Sequence, residues 1–219
     1  MKIALLGYGK MGQLIEEIAT KNGHSIVSIA NSKNSINDID FSSVDVSIDF
    51  STPSTAYKNI SASLESGTPV VSGTTGWLDK IESINALAIK KNTAFLYASN
   101  FSIGVNIFFE LNNKLKIMMD SHPEYKAYIK EIHHTEKLDA PSGTALTLQS
   151  QLSQDTPIES QRLKGVPGTH HVNYISEIDS ISISHEAYNR NGFAKGALLA
   201  AEWIVDKKGV FRMSDILKL

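Results

Sequence analysis

Residues 1–31 read MKIALLGYGKMGQLIEEIATKNGHSIVSIAN. Residues 2–6 are a short apolar run ending at Gly7, the length and composition of a buried strand. Over residues 11–19, Met11, Leu14, Ile15, Ile18 and Ala19 recur at helical spacing, and Gly23 is placed to stop that helix. Residues 25–30 are a second strand. Between the first strand and the helix, Gly7, Gly9 and Gly12 spell G-x-G-x-x-G. In that pattern the first glycine makes the tight turn, the second lets backbone approach a pyrophosphate, and the third lets helix and strand pack closely. The anion rests on the positive end of the following helix, and Lys10 adds a cation beside it. Standing after a strand and opening a helix, the motif points to dinucleotide binding rather than to an ordinary glycine turn.

The same rhythm continues outward. Residues 44–50 (VDVSIDF) read as a strand, and Pro53 opens a helix. A TPVVS run, a turn at Gly73, a helix near 79–91 and a strand at 94–98 follow. Alternating strands and helices predict a parallel sheet covered by helices. After Asn100 the pattern changes: one long helix over 103–119, extended stretches at 125–134 and 172–186, and a helix at 143–153. This predicts a second, α+β domain. Residues 193–207 (FAKGALLAAEWIVDK) are helical again and return to the first domain. The expected division is 1–102 plus 193–219 for the Rossmann-type α/β dinucleotide-binding domain and 103–192 for the α+β substrate-binding and oligomerisation domain. The chain then crosses between domains near Ser99–Ser102 and near Tyr188–Gly192.

Composition narrows the functional classes. The chain of 219 residues has no cysteine, which excludes disulfides, a catalytic thiol and an iron–sulfur cluster. With 21 basic and 23 acidic residues and no block of like charge, a nucleic-acid face is not expected. No apolar stretch reaches 18 residues, and the start has no signal-peptide pattern, so a cytoplasmic protein without membrane contact is expected. Residues 31–37 (NSKNSIN) read as an exposed loop. They also stand where a dinucleotide site usually carries the acidic residue that grips the adenine ribose. Asn31 can bond a hydroxyl, and Lys33 can attract a 2′-phosphate. The alternative is a loop that touches no cofactor.

Residues 131–145 read EIHHTEKLDAPSGTA. On an extended 131–134, His133 and His134 point to opposite sides and so differ in role. Lys137 follows in the loop. Pro141 and Ser142 mark a helix start capped by Ser142, so the backbone N–H groups of Gly143 and Thr144 face outward as a site for a carboxylate. An acid–base histidine, a cation and an anion cradle within a dozen residues make a plausible catalytic unit. Taken singly, each feature is commonly structural: adjacent histidines are often surface residues, and S-G-T after proline is a common cap. No H-E-x-x-H and no cysteine ligand is present, so no metal is expected. His170 and His171 form a second pair with no lysine or anion cradle beside them in sequence, and are read as structural.

The 131–145 segment resembles the signature of the dihydrodipicolinate reductase family, which reduces 4-hydroxy-tetrahydrodipicolinate in the diaminopimelate route to lysine. GYGKMG at 7–12, DFSTP at 49–53, GTTGW at 73–77, ASNFSIGVN at 98–106, KGVPGTHHV at 164–172 and RNGFAKGALLAAEW at 190–203 resemble further segments of that family, in its order. The resemblance implies that Gly7, Tyr8, Gly9, Lys10, Met11 and Gly12 hold the pyrophosphate of NADH or NADPH. It places Gly73, Thr74, Thr75, Ala98, Ser99, Asn100 and Phe101 on the nicotinamide side. It makes His133 the proton donor or acceptor, Lys137 a proton donor, and His134, Gly143 and Thr144 the binders of a small dicarboxylate substrate. It implies a homotetramer built through the second domain. Two departures bear on the cofactor: the glycine loop is one residue shorter than the commoner G-x-x-G-R-M-G, with Lys10 for arginine, and Asn31 replaces an acidic residue. Competing readings are an oxidoreductase of the same fold acting on another cyclic imine or keto acid, a non-catalytic nucleotide-sensing module, and a structural oligomer with an idle dinucleotide fold.

Overall fold

A computed structural model describes residues 1–219. In chain order the elements are β1 (Lys2–Leu6), α1 (Lys10–Lys21), β2 (Ser25–Ala30), β3 (Val46–Asp49), α2 (Pro53–Glu65), β4 (Val70–Ser72), α3 (Ile81–Lys90) and β5 (Ala94–Tyr97). There follow α4 (Ile103–Met119), β6 (Lys126–His133), α5 (Gly143–Leu152), β7 (Ile158–Arg162), β8 (Gly168–Ile175), β9 (Ser180–Ala187), α6 (Asn191–Ile204), β10 (Gly209–Phe211) and α7 (Met213–Leu217). The chain divides into two compact units, Met1–Ser102 with Phe193–Lys218, and Ile103–Gly192 with the terminal Leu219.

The first unit is built on a six-stranded sheet in the order β10-β5-β4-β3-β1-β2, parallel throughout. Its inner strands are almost wholly buried, as continuous apolar runs covered on both faces must be. Strand order reverses at β1, with β2 on one side and β3 on the other, which opens a crevice at the carboxyl ends of β1 and β3. Gly7 sits there with φ +102°, and a Cβ on it would lie 2.2 Å from the Phe50 carbonyl oxygen, so only glycine fits. Gly12 lies against the Gly7 carbonyl, where a Cβ would approach to 2.5 Å, which lets α1 start directly over the turn. At the far end of α1, Gly23 N–H bonds the Thr20 carbonyl and His24 N–H the Ala19 carbonyl, a Schellman stop. The small residues of α6 (Ala194, Gly196, Ala197, Ala200, Ala201) are buried, and this helix joins the core formed by Ile3, Leu5, Ile48 and Leu96.

The second unit has a four-stranded mixed sheet, β7-β6-β8-β9, in which β6 and β7 are parallel and the other pairs antiparallel. Helices α4 and α5 pack with it around Phe108, Ile129, Leu148, Val172 and Tyr174.

Several sequence expectations change in detail. The single extended stretch 172–186 is a hairpin: β8 begins at Gly168, and the Ser176 hydroxyl accepts from Ile178 and Asp179 N–H to turn the chain into β9. Strand β7 (IESQR) was not expected, because a short polar edge strand carries no alternation of apolar residues. Strand β10 and helix α7, three and five residues long, are too short to show a period. The loop 31–37 is not wholly exposed, since Ile36 is a buried anchor in a 3₁₀ turn.

Candidate active site

The crevice of the first unit forms two adjoining grooves. One, of about 550 Å³, is lined by Gly7, Tyr8, Gly9, Asn31 and the following loop, and by Thr55, Lys58 and Asn59 of α2. The other, of about 350 Å³, is lined by Gly9, Lys10, Met11, Phe50, Ser51, Pro53, Gly73, Thr74 and Thr75. Gly9 is the N-cap of α1, with no side chain capping the helix, and a Cβ there would meet nothing within 4 Å. Open N–H groups and an open approach are what a pyrophosphate needs, so these residues fit a dinucleotide. The Tyr8 hydroxyl donates to Glu16.

The floor of the smaller groove is held by Asp49, which is completely buried. Its carboxylate accepts hydrogen bonds from Ser51 Oγ (2.6 Å), Thr74 Oγ1 (2.7 Å) and Ser72 Oγ (2.8 Å). Burial pushes the Asp49 carboxyl up, while these hydroxyls pull against that rise. Thr74 Oγ1 also accepts from Ser51 N–H at 2.8 Å, and the Thr74 carbonyl accepts from the Trp77 indole at 2.7 Å. Thr74 is therefore fixed from three sides.

Three groups of sequence candidates fare differently. Asn31 lines the larger groove, but its Oδ1 already accepts the N–H groups of Lys33 (2.8 Å) and Asn34 (3.0 Å). Lys33 lines neither groove, and Lys58, which was not singled out, is the one charged residue in the larger one. Ala98, Ser99, Asn100 and Phe101 line neither groove. Phe101 is core, its ring centroid 5.7 Å from that of Phe50, whose ring borders both grooves.

In the second unit the 131–145 segment forms the end of β6, a loop and the start of α5. Register decides what meets there. Glu131 pairs with Ser160 of β7 on one side and with His170 of β8 on the other, while His133 pairs with Arg162. Residues 131 and 133 share a face of the sheet because side chains alternate. His133 Nδ1 stands 3.3 Å from Glu131 Oε2, and the His133 and His170 rings meet edge-on with centroids 4.9 Å apart. His134 follows the last residue of β6 and is half-buried, and its carbonyl accepts Lys137 N–H. Lys137 Nζ donates to both Asp139 oxygens at 2.7 and 2.9 Å. That hydrogen bond holds the Asp139 carboxyl below the usual range.

Ser142 caps α5, its Oγ accepting Ala145 N–H at 3.2 Å and lying 3.1 Å from His170 Nε2. Gly143 and Thr144 are the first residues of α5, whose first-turn N–H groups have no partner within a helix. These two residues thus stand at the open start of α5.

Residues 1–101 match the family model described as dihydrodipicolinate reductase, N-terminus, and residues 104–217 match dihydrodipicolinate reductase, C-terminus. The chain belongs to the dihydrodipicolinate reductase family. It is 48% identical over 233 residues to the 4-hydroxy-tetrahydrodipicolinate reductase of Christiangramia forsetii, covering 99% of this chain and 98% of that one. It is 38% identical over 220 residues to that of Thermosipho africanus, covering 100% and 98%. Among solved structures, a dipicolinate-bound dihydrodipicolinate reductase from Paenisporosarcina sp. TG-14 superposes with a TM-score of 0.80 over 97% of both chains at 22% identity. An aspartate dehydrogenase from Thermotoga maritima shares the fold more loosely, with a TM-score of 0.55 at 12% identity, over 96% of this chain and 99% of that one.

Within this dihydrodipicolinate reductase fold, three residues join the histidine site that sequence reading passed over. His170, read as structural for want of neighbours, is beside His133 and Ser142. Burial pushes its imidazole pKa down to about 3, with the neighbouring His133 acting in the same direction. Glu131 lies fully buried between them, and Arg162 reaches it from β7 at 3.3 Å. Only strand register brings residues 131, 162 and 170 together, and register across a sheet leaves no local signal. Glu131, His133 and His170 also place ligand atoms within 4.8 Å of one another, the spacing of a small cation site. Both Glu131 oxygens, however, already accept Ser142 N–H and the Arg162 guanidinium neutralises the charge, so the set fits a hydrogen-bonded network better than a metal.

Proposed function

We propose that this chain reduces 4-hydroxy-tetrahydrodipicolinate to tetrahydrodipicolinate with loss of water, using NADH or NADPH, in the diaminopimelate route to lysine. The family membership supports this reading, and the observation that carries it is the folded 131–145 segment. That segment joins a buried histidine, a loop lysine and an open helix start in one unit. Loss of water from the ring leaves a conjugated cyclic imine bearing two carboxylates. Reduced nicotinamide supplies the hydride. The N–H groups of Gly143 and Thr144, with His134, take a substrate carboxylate. The density left on the ring after hydride addition must be protonated, and Lys137 and His133 are the acids for it. Positioned acids contribute on the order of 10²–10⁴ in rate.

In the first unit, residues 7–12 take the pyrophosphate and Gly73, Thr74 and Thr75 border the nicotinamide end. We assign Ala98, Ser99, Asn100 and Phe101 a supporting role there, through Phe101 behind Phe50. The second unit is the substrate-binding and oligomerisation part of a homotetramer. The protein works in the cytoplasm, in keeping with the absence of any helix long and apolar enough to cross a membrane. The test is direct: purified protein is given freshly made synthase product with NADH or NADPH, and loss of nicotinamide absorbance is followed. Absence of turnover with both cofactors refutes the reading.

A further inference from the structure

We propose that Glu131 is the positioning residue of this site, one buried carboxylate that orients the imidazole of His133 and at the same time pins the helix start that forms the Gly143–Thr144 cradle. The inference rests on the function proposed above for those two elements.

The geometry is specific. Glu131 has no exposed surface. Both of its oxygens accept Ser142 N–H, at 3.0 and 3.2 Å, so the residue that caps α5 is held at its backbone as well as by its side chain. Oε2 lies 3.3 Å from His133 Nδ1, and that nitrogen is sealed from solvent without an aligned hydrogen bond of its own. Hydrogen bonds in unliganded sites are often long and tighten when ligand binds. A carboxylate beside Nδ1 favours the tautomer that carries its proton there, which leaves Nε2 to face a ligand.

The charge is balanced from the other strands. Arg162 of β7 places both terminal nitrogens 3.3 Å from Oε1 and also donates to the carbonyls of Lys137 and Asp139, strapping the lysine loop to the same carboxylate. His170 of β8 stands 3.8 Å from Oε2. Burial alone would raise the Glu131 carboxyl; the groups around it, His133, Ser142 and Ser160, outweigh burial and hold it far below the usual range. It therefore stays an anion and can act on His133 at any working pH.

A merely structural ion pair would set stability and nothing else. Two measurements separate the roles. In the unaltered protein, ¹⁵N chemical shifts of neutral His133 should show the Nδ1–H tautomer dominant. In Glu131→Gln, which keeps the shape and loses the charge, the Nε2–H tautomer should gain at least a severalfold share. The kcat of Glu131→Gln should fall at least about tenfold and KM for the dicarboxylate rise, with cofactor affinity unchanged. Dominance of Nε2–H in the unaltered protein overturns the proposal whether or not the variant folds. So does a folded Glu131→Gln with unaltered tautomer, kcat and KM. Because the tautomer is read without turnover, inactivity of the unaltered protein would refute the functional reading alone.

Discussion

Gly168 leaves room for the ring of His133: a Cβ built on Gly168 would lie 3.1 Å from both Cδ2 and Nε2 of the imidazole. The two residues come from separate strands, β8 and β6, and a side chain at 168 would press on the Nε2 edge of the ring.

Gly168→Ala should therefore push the imidazole by a few tenths of an ångström. Misplacing a reacting group by about 1 Å costs on the order of a hundredfold, so kcat is expected to fall roughly five- to tenfold. Thermal stability should change little, since the position needs no left-handed backbone. Steady-state kinetics with a melting curve check both halves, and an unchanged kcat would sink the idea.

Stability should weaken in acid earlier than carboxylate chemistry alone requires. His170 titrates near 6.5 when unfolded and at about 3 when folded. Between those values the unfolded chain carries a proton that the folded chain refuses, so stability falls as pH drops through that window. The share from His170 is about 2 kcal/mol between pH 6.5 and 5. His185, which burial also pushes down, adds the same sign. Glu131 acts lower: its folded value is depressed, so its contribution is intact above 4.5 and is lost only below it. Urea unfolding at pH 7 and pH 5 should show a loss that His170→Gln markedly reduces. Equal losses in the two proteins would refute the assignment.

Much of this was readable from the chain, for physical reasons that differ by element. The β1–α1–β2 unit is legible because its glycine spacing is local: Gly7 turns the chain with a positive φ, and Gly12 meets the Gly7 carbonyl five residues earlier, although the Phe50 backbone that closes on Gly7 comes from the end of β3. Ser142 as cap and the helix start at Gly143 are equally local. Glu131, Arg162 and His170 are not, because they meet through the registers β6–β7 and β6–β8, and β7 itself is a polar edge strand without pattern. Lys58 was missed for the same reason as Lys33 was favoured: proximity to Asn31 in sequence is not proximity around the groove.

Cofactor use should turn on Lys58. Asn31 carries no charge to repel a 2′-phosphate, and Lys58 is the one charged residue lining the groove that Asn31 borders. Lys58→Met is expected to raise KM for NADPH several-fold to about tenfold while KM for NADH moves less than twofold; tenfold corresponds to about 1.4 kcal/mol. Lys33→Met should alter neither. The opposite pattern, Lys33 sensitive and Lys58 silent, would return the role to Lys33.

Lys137 is held by Asp139 at the side chain but by Arg162 at the backbone, and the two attachments predict different things. Lys137→Met should leave the fold and cofactor affinity nearly intact, since methionine keeps most of the apolar stem and the glycine loop belongs to the other unit. Its kcat should fall by at least about a hundredfold, the range for losing a general acid. Asp139→Asn removes the carboxylate that grips Nζ at 2.7 and 2.9 Å, yet Arg162 still bonds the carbonyls of residues 137 and 139. The loop should therefore stay in place, and kcat in Asp139→Asn should remain within a few-fold of the unaltered enzyme. If Lys137 only anchored a substrate carboxylate, Lys137→Met would raise KM with kcat preserved, the signature of lost uniform binding. That result at saturating cofactor would refute the proton-donor role while keeping Lys137 in the substrate site. A hundredfold loss in Asp139→Asn as well would make the pair, rather than the lysine alone, the functional group.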